Sequence, residues 1–308
     1  FEDNLQNATK WLREHKDEKF LLFFQGFDTH CPFTFPTENN VFDQNYKGNT
    51  NFSDCLWTFE KVDPIVIKNN TYYNVKTSYL EDNNYGSARI NEQDIYHMIA
   101  LYDGEIQLAD NMINQFFDEI TDLGLEKDTI IILFSEHGDL FGEHGRFMRG
   151  GPLRGTFYDE VLHVPLLIKH PTLKPNKMDG LVQLIDVAPT LLDFLGIPQE
   201  KDFQGKSLVP LIMENKEVND LVFAGSKFIP PKNNILFNMS SIIRAVRSKD
   251  YKFINEKLYG PNNTLVIDSY ELYNISVDPN ELINIYPDTG PNLQAYFNKD
   301  YNKNTEAR

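Results

Sequence analysis

The feature that most constrains this chain is the run Thr129-Ile130-Ile131-Ile132-Leu133-Phe134, continuous in β-branched and apolar residues and preceded by a long amphipathic segment. A run of this kind is a strand buried on both faces, as in the centre of a parallel sheet. From Asn91 to Leu123 apolar side chains recur every three or four residues, at Ile95, Met98, Ile99, Tyr102, Ile106, Ala109, Met112, Ile113, Phe116, Ile120 and Leu123. That spacing predicts a helix, and Gly124 is its expected stop. A helix followed by a buried strand is the alternation of an α/β fold, a mostly parallel sheet flanked by helices. Residues 19–25 (KFLLFFQ) and Val164 to Ile168 supply further candidate strands.

Downstream, Asp186 is placed to cap a helix running to Leu195, with Gly196-Ile197-Pro198 ending it. After about residue 215 the pattern changes to short strands at Leu221 to Ala224, Ile242 to Val246 and Tyr251 to Ile254, which predicts a small antiparallel sheet. The expected organisation is therefore an α/β part over 1–215 and a small C-terminal α+β subdomain over 216–308. The Asn-, Tyr- and Pro-rich stretch between His30 and Asn91 shows no sustained period and reads as excursions over the core. No stretch approaches a membrane span. A net charge of −16 works against broad contact with nucleic acid or an anionic membrane, so any anionic ligand must be attracted locally.

Phe134-Ser135-Glu136-His137-Gly138-Asp139 puts an acid and an imidazole directly after the buried strand, at the edge where α/β sheets bind ligands. A carboxylate beside an imidazole suits a divalent cation, and Gly138 permits a sharp turn. A surface loop of ordinary polar residues is the competing reading. Gly142-Glu143-His144-Gly145 follows, then Arg146, Arg149 and Arg154, a concentration of cations in an acidic protein. Such a cluster holds sulfate or phosphate through charge-assisted hydrogen bonds, or else forms surface ion pairs. His30 ends the first candidate strand and would share the sheet edge with Glu136 and His137 if those strands run parallel. Cys31 and Cys55 lack a neighbouring base and read as structural. Tyr102-Asp103-Gly104-Glu105 lies within the long helix and reads as packing.

In order and spacing, from about residue 19 to 285, these segments resemble the sulfatase family of the alkaline phosphatase superfamily. Asp28 to Phe33 looks like the family's Asp-x-His-x-Pro-Phe, and Tyr102 to Ile106 like its Tyr-Asp-Gly-Glu-Ile helix. Glu136-His137-Gly138 with Gly142 to Gly145 resembles its metal loop. Tyr158 to Pro165, Asp186 to Leu192, Gly205 to Leu208, Glu271 to Asn274 and Asp278 to Glu281 are similar to its later segments.

The resemblance implies an alkaline-phosphatase-like fold and hydrolysis of sulfate esters, on a sulfated small molecule or glycan. It also implies a divalent cation, usually calcium, bound by Glu136 and His137 together with acids from an N-terminal strand. Arg149 falls where the family commonly has a lysine on a sulfate oxygen, and His30 matches the histidine near the sulfate and leaving group. Both would be catalytic and substrate-binding residues. An extracytoplasmic location is the family's expectation.

Two departures stand out. Glu136 replaces an Asp, which lengthens the carboxylate by one methylene. Neither cysteine lies in the Cys/Ser-x-Pro-x-Arg context of the family's formylglycine nucleophile, so the nucleophile is expected in a segment outside these residues and the isolated chain is expected to show no turnover. A phosphodiester or phosphonate monoester hydrolase of the same superfamily, and a noncatalytic binding protein retaining the fold, are the alternatives.

Overall fold

The structure is a computed structural model that describes residues 2–33, 42–43, 45–48, 55–57, 63–67, 70–78, 85–149, 156–229 and 239–286. The chain divides into two compact units. The first comprises Phe1–Phe134, Asp139–Gly151 and Pro165–Leu173, and the second Ser135–Gly138, Pro152–Val164 and Lys174–Arg308.

In the first unit, α1 (Glu2–His15) precedes an extended stretch over residues 19–27. Its side chains alternate: Phe20, Leu22 and Phe24 pack on the core, while Leu21, Phe23 and Phe27 are 79%, 75% and 61% exposed. This is the stretch expected to be a buried strand; its burial alternates as along a strand, but one face is exposed and it forms no ladder among the described residues. An antiparallel sheet follows, β1 (Cys55–Trp57), β2 (Ile65–Ile67), β3 (Asn70–Ser78) and β4 (Tyr85–Asn91). Strands β1 and β2 pair with β3, as does β4. Short, Asn-rich strands gave no period long enough to read in the sequence.

Helix α2 (Glu92–Asp122) fills the long amphipathic segment. Asn91 caps it, accepting from the N–H groups of Gln93 and Asp94 while the Asp94 carboxylate accepts from the Asn91 N–H. The helix ends where expected: Gly124 takes φ +73° and Leu125 N–H reaches back to Ile120 O. The first turns of α2 place Met98 and Leu101 in a cluster with Cys31, Phe33, Val75, Ile90, Phe147 and Met148. The last turns pack Met112, Phe116 and Ile120 on Leu5, Ala8 and Leu12 of α1.

Strand β5 (Ile131–Phe134) then pairs antiparallel with β8 (Leu166–Lys169). No parallel pair is resolved among the described residues. All four residues of β5 are only partly buried, where burial on both faces was expected, and a continuous apolar run carries no information on strand direction. Between them, β6 (Leu140–Phe141) and β7 (Phe147–Met148) form a hairpin closed by a 3-10 turn over Glu143–Gly145. Gly142 takes φ +112° and Gly145 φ +66° in that turn.

In the second unit, α3 (Asp159–Leu162), α4 (Val187–Phe194) and α5 (Val209–Glu214) accompany an antiparallel meander. Its strands are β9 (Val222–Phe228), β10 (Ser240–Arg247), β11 (Tyr251–Tyr259) and β12 (Leu265–Asn274), in spatial order β12-β11-β10-β9. The small antiparallel sheet is as expected, with β12 added. Asp186 stands at the start of α4, but contrary to expectation its side chain makes no capping hydrogen bond to that helix. Its fully buried carboxylate accepts from the N–H groups of Gln183 and Lys206 and from Asn219 Nδ2, at 3.0, 2.8 and 2.9 Å. Among the described residues, no helix is long and apolar enough to cross a membrane.

Candidate active site

In the first unit, His30 and Arg149, 119 residues apart in sequence, come into contact: Arg149 Nη2 lies 3.1 Å from His30 Nε2. The other ring nitrogen, Nδ1, lies 2.6 Å from the Cys31 carbonyl oxygen. A carbonyl only accepts, so Nδ1 carries hydrogen and donates to it; Nε2 then offers its lone pair to the guanidinium. The neighbours therefore fix the tautomer of His30. Cys31 is disulfide-bonded and buried among Phe33, Val75 and Met98, which anchors the backbone that His30 leans on.

Arg149 is held from its other side. Its Nη1 donates to Asp139 Oδ1 at 3.1 Å, and the Asp139 side chain is only 3% exposed while that of Arg149 is 34% exposed. A buried carboxylate thus pins a half-exposed cation, leaving its outer edge for a ligand. Asp139 was not among the site residues read from sequence. An acid in a loop carries no periodicity, and its ion pair with Arg149 is visible only once the β6–β7 hairpin is closed. The charge of Asp139, after burial, also raises the pKa of the Tyr102 hydroxyl on α2.

The second unit carries the candidate metal loop. Glu136 Oε1 lies 4.0 Å from His137 Nε2, with the Glu136 side chain 52% exposed and that of His137 27% exposed. His137 Nδ1 is 3.1 Å from Gly138 O, so it bears the hydrogen and Nε2, on the side of Glu136, carries the lone pair a metal would take. Ser135 Oγ donates to His137 O at 2.8 Å. Two donors each about 2.0–2.5 Å from one ion lie roughly 3–5 Å apart, so the pair fits a shared divalent cation in type and separation. It amounts to two donors: among the described residues no group of three or more His, Cys, Asp or Glu side chains converges. Gly138 is fixed by space. A Cβ there would overlap the Glu160 carbonyl oxygen, and its N–H donates to Val161 O at 2.9 Å. The turn freedom expected of this glycine is not what it supplies, since its φ is not positive. Of the cationic cluster, Arg149 is ion-paired, Arg146 is 7% exposed and Arg154 lies outside the described residues.

A second polar cluster in the same unit ties Asp159 of α3 to the meander. Lys252, fully buried, lies 2.9 Å from Asp159 Oδ1 and 2.8 Å from Glu281 Oε1, and Arg247 also pairs with Asp159. Burial opposes ionisation of Asp159, but the Lys252 and Arg247 charges outweigh it and hold its carboxyl below the usual range. Burial pushes Glu281 up despite Lys252.

Against known families, residues 2–197 match the sulfatase family and residues 142–305 match the family described as N-sulphoglucosamine sulphohydrolase, C-terminal. The chain belongs to the sulfatase family. Among its relatives, arylsulfatase K of Rattus norvegicus is 29% identical over 292 residues, covering 92% of this chain and 48% of the relative. This sulfatase chain thus spans about half the length of the curated relatives it matches. Two solved structures share the fold. BT1596, a 2-O GAG sulfatase, has a TM-score of 0.53 at 22% identity, over 70% of this chain and 44% of its own. The phosphonate monoester hydrolase of Agrobacterium radiobacter has a TM-score of 0.52 at 23% identity, over 70% of this chain and 42% of its own. The fold is therefore alkaline-phosphatase-like α/β, and sulfatases as a family are generally metal-dependent.

Proposed function

We propose that this sulfatase-family chain contributes to the hydrolysis of sulfate esters, on a sulfated small molecule or glycan, within a longer protein that supplies the nucleophile. The observation that carries the reading is the array Asp139–Arg149–His30, in which a buried acid presents a guanidinium against an imidazole of fixed tautomer. In this reading a sulfate oxygen takes the outer edge of Arg149, whose charge stabilises the oxyanion developing on sulfur. Arg149 then turns its Nη2 from His30 toward the ester. Nε2 of His30, released and protonated from solvent, delivers that proton to the alcohol oxygen as the S–O bond breaks and the nucleophile of the longer protein bonds to sulfur.

Glu136 and His137 would hold a divalent cation, calcium in this reading, with the remaining donors coming from outside these residues. When bound, the cation supplies Lewis-acid chemistry. The imidazole of His137 favours a second reading, phosphonate or phosphodiester hydrolysis, because a nitrogen donor suits manganese or zinc better than calcium. The disulfide at Cys31 supports an extracytoplasmic location.

The test uses the longer protein with 4-nitrophenyl sulfate and a phenyl phosphonate monoester, loaded in turn with calcium and manganese. We expect sulfate to be the better substrate, and Arg149→Met and His30→Ala each to lower kcat by about 100-fold or more. Changes under about threefold would overturn the assignment of the pair. A preference for the phosphonate with manganese would favour the second reading.

A further inference from the structure

We propose that Arg146 is a second anion-binding residue of the β6–β7 hairpin, taking a sulfate or carboxylate group other than the ester addressed by Arg149 and His30. The observation is a buried cation without a counter-charge among the described residues. Arg146 is 7% exposed, and its Nη1 is buried with no hydrogen-bond partner among the described residues. An ionised group taken out of water without a partner is strongly unfavourable, and a guanidinium cannot escape by losing its proton. A native chain keeps such a group where a partner arrives from outside.

The acids of the hairpin do not serve it. Asp139 is committed to Arg149 at 3.1 Å, and Glu143 Oε2 accepts from the Phe141 N–H at 2.5 Å. Arg149 and Arg146 stand three residues apart with opposite electrostatic situations. One is compensated by a buried carboxylate, and the other carries its charge uncompensated beside an apolar cluster built on Phe147 and Met148. The backbone holds Arg146 in place: its N–H donates to Glu143 O and its carbonyl accepts from Gly142 N–H, both at 2.9 Å. The planar fork of a guanidinium matches the paired oxygens of a sulfate or carboxylate. Only the source of that anion, a second acidic group on the substrate, rests on the sulfatase reading.

The first experiment is thermal unfolding of the 308-residue chain against sodium sulfate, with sodium chloride at equal ionic strength as reference. The proteins compared are the wild type, Arg146→Met, Arg146→Lys and Arg149→Met. We expect a saturable rise in Tm with sulfate for the wild type and for Arg149→Met. Arg146→Met should lose the part of that rise that Arg149→Met keeps, retaining only what sulfate at Arg149 contributes, and start about 2–4 °C higher in the absence of sulfate, because a buried unpaired charge has gone. Arg146→Lys keeps the charge without the fork and should fall between. A wild type without a saturable rise, or an Arg146→Met protein that keeps the rise in full or starts lower, would overturn the proposal.

The second experiment separates the sources, comparing Arg146→Met with wild type in the longer protein. A tenfold or larger rise in KM for a disulfated glycoside, with less than a twofold change for 4-nitrophenyl sulfate, assigns the anion to the substrate. KM unchanged for both, with the thermal effect of sulfate lost, assigns it to free sulfate. If the wild type hydrolyses neither, the sulfatase reading fails and the thermal experiment still decides the role of Arg146.

Discussion

Replacing Lys252 by Met should weaken the second unit in a manner that depends on pH. Lys252 is fully buried and bonds Asp159 and Glu281 at 2.9 and 2.8 Å. Asp159 keeps Arg247 after the change, whereas Glu281, 1% exposed, keeps only the Asp159 backbone N–H at 2.6 Å. A carboxylate so enclosed takes up a proton instead of staying charged. Protonating a glutamate at pH 7, against an unfolded value of about 4.3, costs about 1.4 kcal/mol per unit over roughly 2.7 units, or about 3.7 kcal/mol.

That figure is the upper end, because burial already holds Glu281 above the usual range in the intact protein. The sign follows from linkage: a carboxyl raised in the folded state leaves stability intact below its unfolded value and removes it as pH rises. At pH 5 the same cost is only about 1 kcal/mol. Amide hydrogen exchange of β11 and β12 measures the difference at the two pH values. Adding Glu281→Gln to Lys252→Met should recover much of the loss at pH 7. A loss under about 1 kcal/mol at pH 7, or one that grows towards pH 5, would refute the reasoning.

Gly138→Ala should cost about 2–4 kcal/mol, since its Cβ overlaps the Glu160 carbonyl and the loop must move; displacement of the His137 ring resonances would report it. Asp186→Ala removes an acceptor shared by two backbone N–H groups and Asn219, and should lower stability by about 3–5 kcal/mol in urea unfolding. Asp139→Asn should leave the fold intact and lower kcat on sulfate esters about tenfold in the longer protein. It should have no further effect once Arg149 is Met, because Asp139 acts through that guanidinium; additive losses would count against this.

What the sequence disclosed was set by pattern length. Helix α2 was legible because its apolar period persists for many turns and both of its ends carry strong local signals, Asn91 and Gly124. Three strands of the C-terminal meander were legible because turn residues separate short apolar runs. Strands β1 to β4 were not, since each is too short or too polar for alternation to stand out from its Asn-rich surroundings. The antiparallel pairing of β5 with β8 was not anticipated, because no side-chain pattern encodes which strands pair or in which direction.

At the site, Glu136 and His137 stood out from their place directly after an apolar run, Arg149 from a cluster of cations and His30 from the end of a candidate strand, while their roles came from the family resemblance; the structure places His30 against Arg149. Asp139 and the isolation of Arg146 were invisible, because both are properties of which groups meet after the hairpin closes.

The extended stretch over residues 19–27 has a practical consequence. Its alternation gives it one finished face and one on which Leu21, Phe23 and Phe27 meet water. An extended segment with an apolar outer face recruits other strands, so the 308-residue chain purified by itself is a candidate for self-association in proportion to its concentration. Lysine at Leu21 and Phe23 would suppress that behaviour while leaving the inward residues Phe20, Leu22 and Phe24 untouched, giving a soluble form for the binding measurements.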